Sequence, residues 1–202
     1  MNQLNQKNYF RIMLGRKSVF AKECYEGKWI GAGWLGSFSL EDELCENWRD
    51  FNKKFIIKYL SDNVDTSKIA AGLACGMLHT ICKGIKIGDL VLCPDGEGNY
   101  FVGEVKSDYF FVPKTELPHR REIEWYTKGI PRSEMSIELQ RSTGSIGTVS
   151  KITKYSEEIE NLIDGNQQSK IFSNDETIED PSTFAMEKHL EDFLISNWSN
   201  TS

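Results

Sequence analysis

The sequence predicts an α+β fold: a small β-barrel of short strands with helices packed against it, followed by a linker and a C-terminal amphipathic helix. Three observations carry the prediction. Between residues 83 and 125, short apolar or alternating runs are separated by turn residues, a spacing that suits a small barrel because closure removes unpaired strand edges. Residues 41–60 and 68–83 repeat apolar positions every three to four residues, the period of a helix with one buried face. That period returns at 182–198, after a polar, acidic stretch over 164–181 that reads as a linker.

In chain order, Tyr9 to Leu14 forms the first strand and ends at Gly15. Arg16, Lys17 and Ser18 then open a loop where cations and a hydroxyl can meet a phosphate, and Ser18 is placed to cap a short helix. Gly27, Gly31, Gly33 and Gly36 punctuate Trp29, Ile30, Trp34, Leu35 and Phe38. Aromatic residues on such backbone either line a shallow site or cap the core, and the sequence leaves both readings of Trp29 and Trp34 open.

In the helix over 41–60, Leu44, Trp48, Phe51, Phe55 and Tyr59 share a face. Asp65, Thr66 and Ser67 supply caps for the next helix, which packs through Ile69, Leu73, Met77 and Ile81. Cys75, His79 and Cys82 fall at i, i+4 and i+7 on it, the spacing of three soft metal ligands without a fourth. Their small apolar neighbours favour the core reading over a metal site.

Ile85 to Leu92 and Tyr100 to Val105 flank the turn Pro94–Gly98 as a hairpin. A third run, Asp108 to Val112, stops at Pro113, and a fourth, Arg121 to Trp125, alternates charged and apolar residues. Arg121, Glu122 and Glu124 read as exterior strand charges. Around these strands, arginines alternate with Tyr109, Phe110, Phe111 and Tyr126, the pairing that a nucleic-acid surface uses for phosphates and bases. A short helix begins at Pro131 with Ser133 as its cap, Thr148 to Ile152 closes the barrel beside the first strand, and a helix over 156–163 ends the domain.

Of the chain's 202 residues, 39% are hydrophobic and 11% aromatic, enough for one good core or two small ones. With no run of eighteen apolar residues and a polar start, the sequence indicates neither a membrane span nor a signal peptide, and the expected location is the cytoplasm. Five cysteines, odd in number and without a C-x-x-C pair, read as reduced and mostly buried. The net charge of -6 is unevenly spread: residues 1–155 hold 22 Lys and Arg against 19 Asp and Glu, and the remainder 2 against 11. A body at +3 is compatible with binding DNA.

An ordered set of segments resembles the EVE-type branch of the PUA-like barrels that front several modification-dependent restriction systems. These are Arg11–Gly15, Ile30–Ala32, Ile85–Val91, Val102–Val105, Leu117–Arg121 with Trp125, Pro131–Ser133 and Thr143–Val149, spanning roughly the first three quarters of the chain. The resemblance implies a barrel domain over 1–163 that reads a modified base by extruding it into an aromatic pocket at the barrel mouth. Trp34 with Tyr109 or Phe110 are the stacking candidates, and Ser18 or Asp108 would address the base edge. Arg16, Arg120, Arg132 and Arg141 are the phosphate candidates.

The helix over 182–202 resembles the opening helix of the NucS-like endonuclease domain, of the PD-(D/E)XK fold, whose metal-binding motif would lie downstream. Glu187, His189, Glu191 and Asp192 are therefore read as a solvated face. No catalytic residue, resident metal or cofactor is assigned, and Mg²⁺ is expected only with that nuclease domain. The expected partner is DNA, with a nuclease domain or a second copy docking through the C-terminal helix. The alternatives are a metal-dependent nuclease that cuts DNA or RNA itself, although no Ser-His-Asp arrangement, P-loop or H-E-x-x-H is present, and a protein-interaction module.

Overall fold

The computed structural model describes residues 7–165. The linker expected beyond residue 165 and the expected C-terminal helix lie outside the described residues. Eight strands and five α-helices are described: β1 (Tyr9–Ile12), α1 (Ala21–Gly27), β2 (Trp29–Ala32), α2 (Trp48–Asp62), α3 (Lys68–His79), β3 (Leu90–Pro94), β4 (Asn99–Val105), β5 (Phe110–Phe111), β6 (His119–Trp125), β7 (Ile130–Pro131), α4 (Ile137–Thr143), β8 (Val149–Lys151) and α5 (Ser156–Asp164). The fold is α+β, as expected.

The sheet runs β2-β6-β4-β3-β1-β8, with β5 added to β6 and β7 to β4. Strand β8 lies antiparallel to β1, where the sequence placed it, with Phe10 opposite Lys151. It does not go on to meet β2, so among the described residues the sheet is a curled half-barrel, ending at β2 and β8, instead of a closed barrel. Strands β1 and β3 are parallel, Tyr9 opposite Leu90 and Arg11 opposite Leu92.

Period-two alternation sorts these strands into two cores. Phe10, Ile12, Val91, Cys93 and Val105 face one core with α2 and α3, while Tyr9, Leu90, Leu92, Tyr100 and Val102 face a second with α4 and α5. Both faces of the central strands are covered, which is why β3 reads Leu-Val-Leu-Cys without a polar break.

Local chemistry fixes the helix starts. Asn47, in extended backbone, accepts from the Arg49 amide at 2.8 Å, so α2 begins at Trp48 and not at Glu41. Ser67 accepts from Ala70 N at 3.2 Å and caps α3 as expected. Ser136, not Ser133, caps α4 through Leu139 N at 3.1 Å, because residues 132–134 form a separate 3-10 turn. Ser18 caps no helix; its φ of 62° puts it in the left-handed region.

Two arginines are core residues. Arg11 is 1% and Arg121 2% exposed, and each donates to main-chain carbonyls. Arg121 reaches Ser107 O at 2.7 Å and Ile85 O at 2.8 Å, with Ile81 O at 3.2 Å, so it gathers the carbonyls where α3 ends. The exterior reading of Arg121 is thereby overturned. Glu124 does lie outside, bridged by Lys106 to Glu104, the residue opposite it.

Candidate nucleic-acid interface

Because β1 and β3 are parallel, both finish at the same end of the sheet, where the antiparallel β8 enters. Three loops meet there: 13–20, 94–98 and 144–148. Met13 N donates to Thr148 O at 2.8 Å, and Arg132 N donates to Gly98 O at 2.9 Å. A Cβ on Gly96 would stand 3.4 Å from the Lys17 carbonyl. Four of the expected site residues, Arg16, Ser18, Arg132 and Arg141, are gathered at this end.

The turn after β1 is strained. Gly15, Lys17 and Ser18 all have positive φ, at 76°, 57° and 62°, and each non-glycine residue held there costs about 1 kcal/mol. Hydrogen bonds from Ser18 N to Gly15 O and from Phe20 N to Leu14 O, both 3.1 Å, hold the turn in place. It leaves Arg16 and Lys17 exposed, while Ser18 is buried with its hydroxyl donating to Met13 Sδ at 3.1 Å.

Arg141 is exposed in the last turn of α4. Arg132 is different: it donates to Gln140 O at 2.8 Å, to the Tyr100 hydroxyl at 3.0 Å and to Thr143 Oγ1 at 3.4 Å, so it acts as a strut between β4 and α4. Beneath them lies a residue absent from the expected set. Arg11 donates to Thr143 O at 2.7 Å and to the Gly147 and Ser145 carbonyls, which shapes the 144–148 loop from below. Its signal was the lone cation inside Tyr-Phe-Arg-Ile-Met-Leu.

Asp95 and Glu97 share the hairpin tip with these cations. Burial works against ionisation of Asp95, but hydrogen bonds from the Glu97 and Asn99 amides outweigh it and hold the carboxyl below its ordinary range. Beside it, Tyr25, Asp95, Asn99, Phe101, Tyr126 and Gly129 help to line a recess of about 220 Å³.

The remaining candidates lie at the other end. Strand β4 enters at Asn99 beside the arginine loops and leaves at Val105, opposite Ile123 of β6, and His119 lies four residues further on. Seven residues of strand span roughly 20 Å. Trp34, Tyr109, Phe110 and Asp108 therefore lie away from Ser18, Arg16, Arg132 and Arg141, and of the expected phosphate candidates Arg120, opposite Phe110, is on their side.

Tyr109 is also committed. The Leu40 amide donates to its hydroxyl at 2.9 Å, and the hydroxyl lies 2.9 Å from His119 Nδ1. The opposite ring nitrogen, Nε2, is 3.2 Å from Leu35 O, an atom that only accepts, so Nε2 carries the proton and Nδ1 receives the tyrosine's. Arg120 donates to Leu117 O at 2.8 Å and stacks 3.5 Å from the Trp29 ring centre, which makes it a packing partner and not a free phosphate ligand. Trp29 is a core residue; Trp34 and Phe110 are half-buried, and Asp108 is exposed.

Cys75 is buried, and His79 Nε2 donates to Cys45 O at 2.7 Å. Among the described residues no group of three or more His, Cys, Asp or Glu is placed to hold a metal ion, and no helix is long and apolar enough to cross a membrane. A second, larger groove of about 1180 Å³ runs between α3 and β8, the last strand of the described sheet, lined by Trp48, Ile69, Leu73, Met77, Val149 and Lys151 among others.

The class defined by these features is an α+β domain with a sheet buried on both faces and three loops gathered at one end, where Arg16 and Lys17 are exposed. The chain belongs to the family described as a domain of unknown function (DUF8426), whose model matches residues 10–153, within the span expected for the first domain. No curated protein matches the chain.

Proposed function

We propose that the chain is a DNA-recognition module of the EVE/PUA-like kind that precedes the nuclease of a modification-dependent restriction system. The observation that carries this reading is the turn Gly15–Ser18. It holds two non-glycine residues in strained backbone and presents two exposed cations, Arg16 and Lys17, on a turn hydrogen-bonded through Met13 to the 144–148 loop. Strain concentrates where structure is fixed for recognition, and a preset pair of cations loses little freedom on meeting phosphates. Arg141, exposed in the last turn of α4 just before the 144–148 loop, is the third cation of this reading. Ser18 lies with Arg16, Arg132 and Arg141 but turns its hydroxyl onto Met13 Sδ, so a modified base would be met at this end of the sheet by groups other than Ser18.

The test is fluorescence anisotropy on duplexes of about 20 base pairs, with and without a modified base, against wild type and the charge-reversed Arg16→Glu/Lys17→Glu chain. The expected result is binding that the double variant weakens at least about tenfold, and tighter binding to a modified duplex. Equal affinity for every duplex would remove modified-base reading. Equal affinity of the two proteins would remove this surface.

A further inference from the structure

We propose that the recess between α1, β4 and the β6–β7 connection is a subsite for a nucleobase that carries an exocyclic amino group. This rests on the DNA-recognition reading and names what that surface reads. The recess has a stacking wall of Tyr25 and Phe101, whose rings lie 4.3 Å apart at 24°, and behind it Trp125, outside the lining, tilts against both at 5.8 and 6.2 Å. All three rings are half-buried, so an aromatic shelf stays in contact with water. Trp125 is pinned by its Nε1–H, which donates to Cys24 O at 3.3 Å.

The volume, about 220 Å³, lies below the ~300–1,000 Å³ of sites for larger ligands and suits one flat ring system. Its close floor requires glycine at 129, where a Cβ would come within 2.7 Å of Tyr100 O.

The polar edge belongs to Asp95. One carboxylate oxygen accepts from Glu97 N at 2.7 Å and Asn99 N at 3.0 Å, and the other accepts from Asn99 Nδ2 at 3.1 Å, so the group is fixed in place. An ionised carboxylate only accepts, so the ring edge it selects must donate; the exocyclic amino groups of cytosine, adenine and guanine do so, whereas thymine has no amino group and offers only its single ring N3–H. Position completes the case. Gly96, next to Asp95, packs on the Lys17 carbonyl, and Tyr25 stands on the helix that the strained turn launches. A ring in the recess thus lies beside the cations that would hold its phosphate.

The test measures binding of the full chain to short single-stranded dA, dC and dT oligonucleotides, for wild type, Tyr25→Ala, Tyr25→Phe, Asp95→Asn and Arg16→Glu/Lys17→Glu. Wild type should prefer dC and dA to dT by about tenfold, and Asp95→Asn should erase that preference. Tyr25→Ala should weaken all three by about tenfold while Tyr25→Phe, which keeps the ring, binds as wild type does. If binding depends on Arg16 and Lys17 but ignores Tyr25 and Asp95, the recess is overturned and the DNA reading stands. If no single strand binds, the recess is overturned, and the duplex titration described above decides the DNA reading separately.

Discussion

The hydroxyl of Tyr109 donates to Nδ1 of His119 at 2.9 Å, inside a chain that runs from the Leu40 amide through both side chains to the Leu35 carbonyl. This chain ties the loop after β2 to strands β5 and β6. It makes Tyr109 a latch. Tyr109→Phe should cost about 1–3 kcal/mol in urea unfolding, since it leaves the Leu40 amide and Nδ1 without partners. A base-stacking role alone would leave stability unchanged.

The same latch sets a pH dependence. Burial, opposed only in part by the bond to Leu35, lowers the His119 pKa from 6.5 to about 4, and burial lowers that of His79 too. The unfolded chain takes up the His119 proton as pH falls through 6.5, and the folded chain does not until about 4. Stability should therefore be insensitive to His119 above pH 6.5 and fall between 6.5 and about 4, by at most about 3 kcal/mol from this residue. Urea midpoints measured from pH 7.5 to 4.5 check it, and His119→Gln should flatten that part of the profile.

Arg121 gathers the carbonyls at the end of α3, and no shorter side chain reaches them together. Arg121→Met should destabilise by about 3–5 kcal/mol, because buried carbonyls lose a charged donor. Arg121→Lys should recover only part of that loss, since an ammonium lacks the guanidinium fork.

Cys24, Cys75, Cys82 and Cys93 are buried, and burial raises each thiol pKa, that of Cys75 to about 12. Only Cys45 is half-exposed. A thiol reagent at pH 8 should therefore label one cysteine quickly and the rest at the rate of unfolding. Cys45→Ser should remove the fast phase.

Much of the fold was legible in local chemistry. The Pro94–Gly98 turn marked the hairpin, Ser67 marked the start of α3, and β8 was placed beside β1. The buried Arg121 was readable as well: period two puts it on one face with Ile123 and Trp125, and the acidic residues between them on the other. What could not be read was direction. That β1 and β3 run parallel is a pairing over some eighty residues of sequence. It is this pairing that brings Arg16 and Ser18 to Arg132 and Arg141 and leaves Trp34 and Tyr109 at the far end.

The central claim, phosphate contact through Arg16, Lys17 and Arg141, is tested most directly by the salt dependence of DNA affinity. Each phosphate contact contributes about −0.9 to the slope of log K against log salt, so wild type should show about −2.7 and Arg16→Ala/Lys17→Ala about −0.9. A double variant with the wild-type slope would contradict the assignment, whatever its affinity.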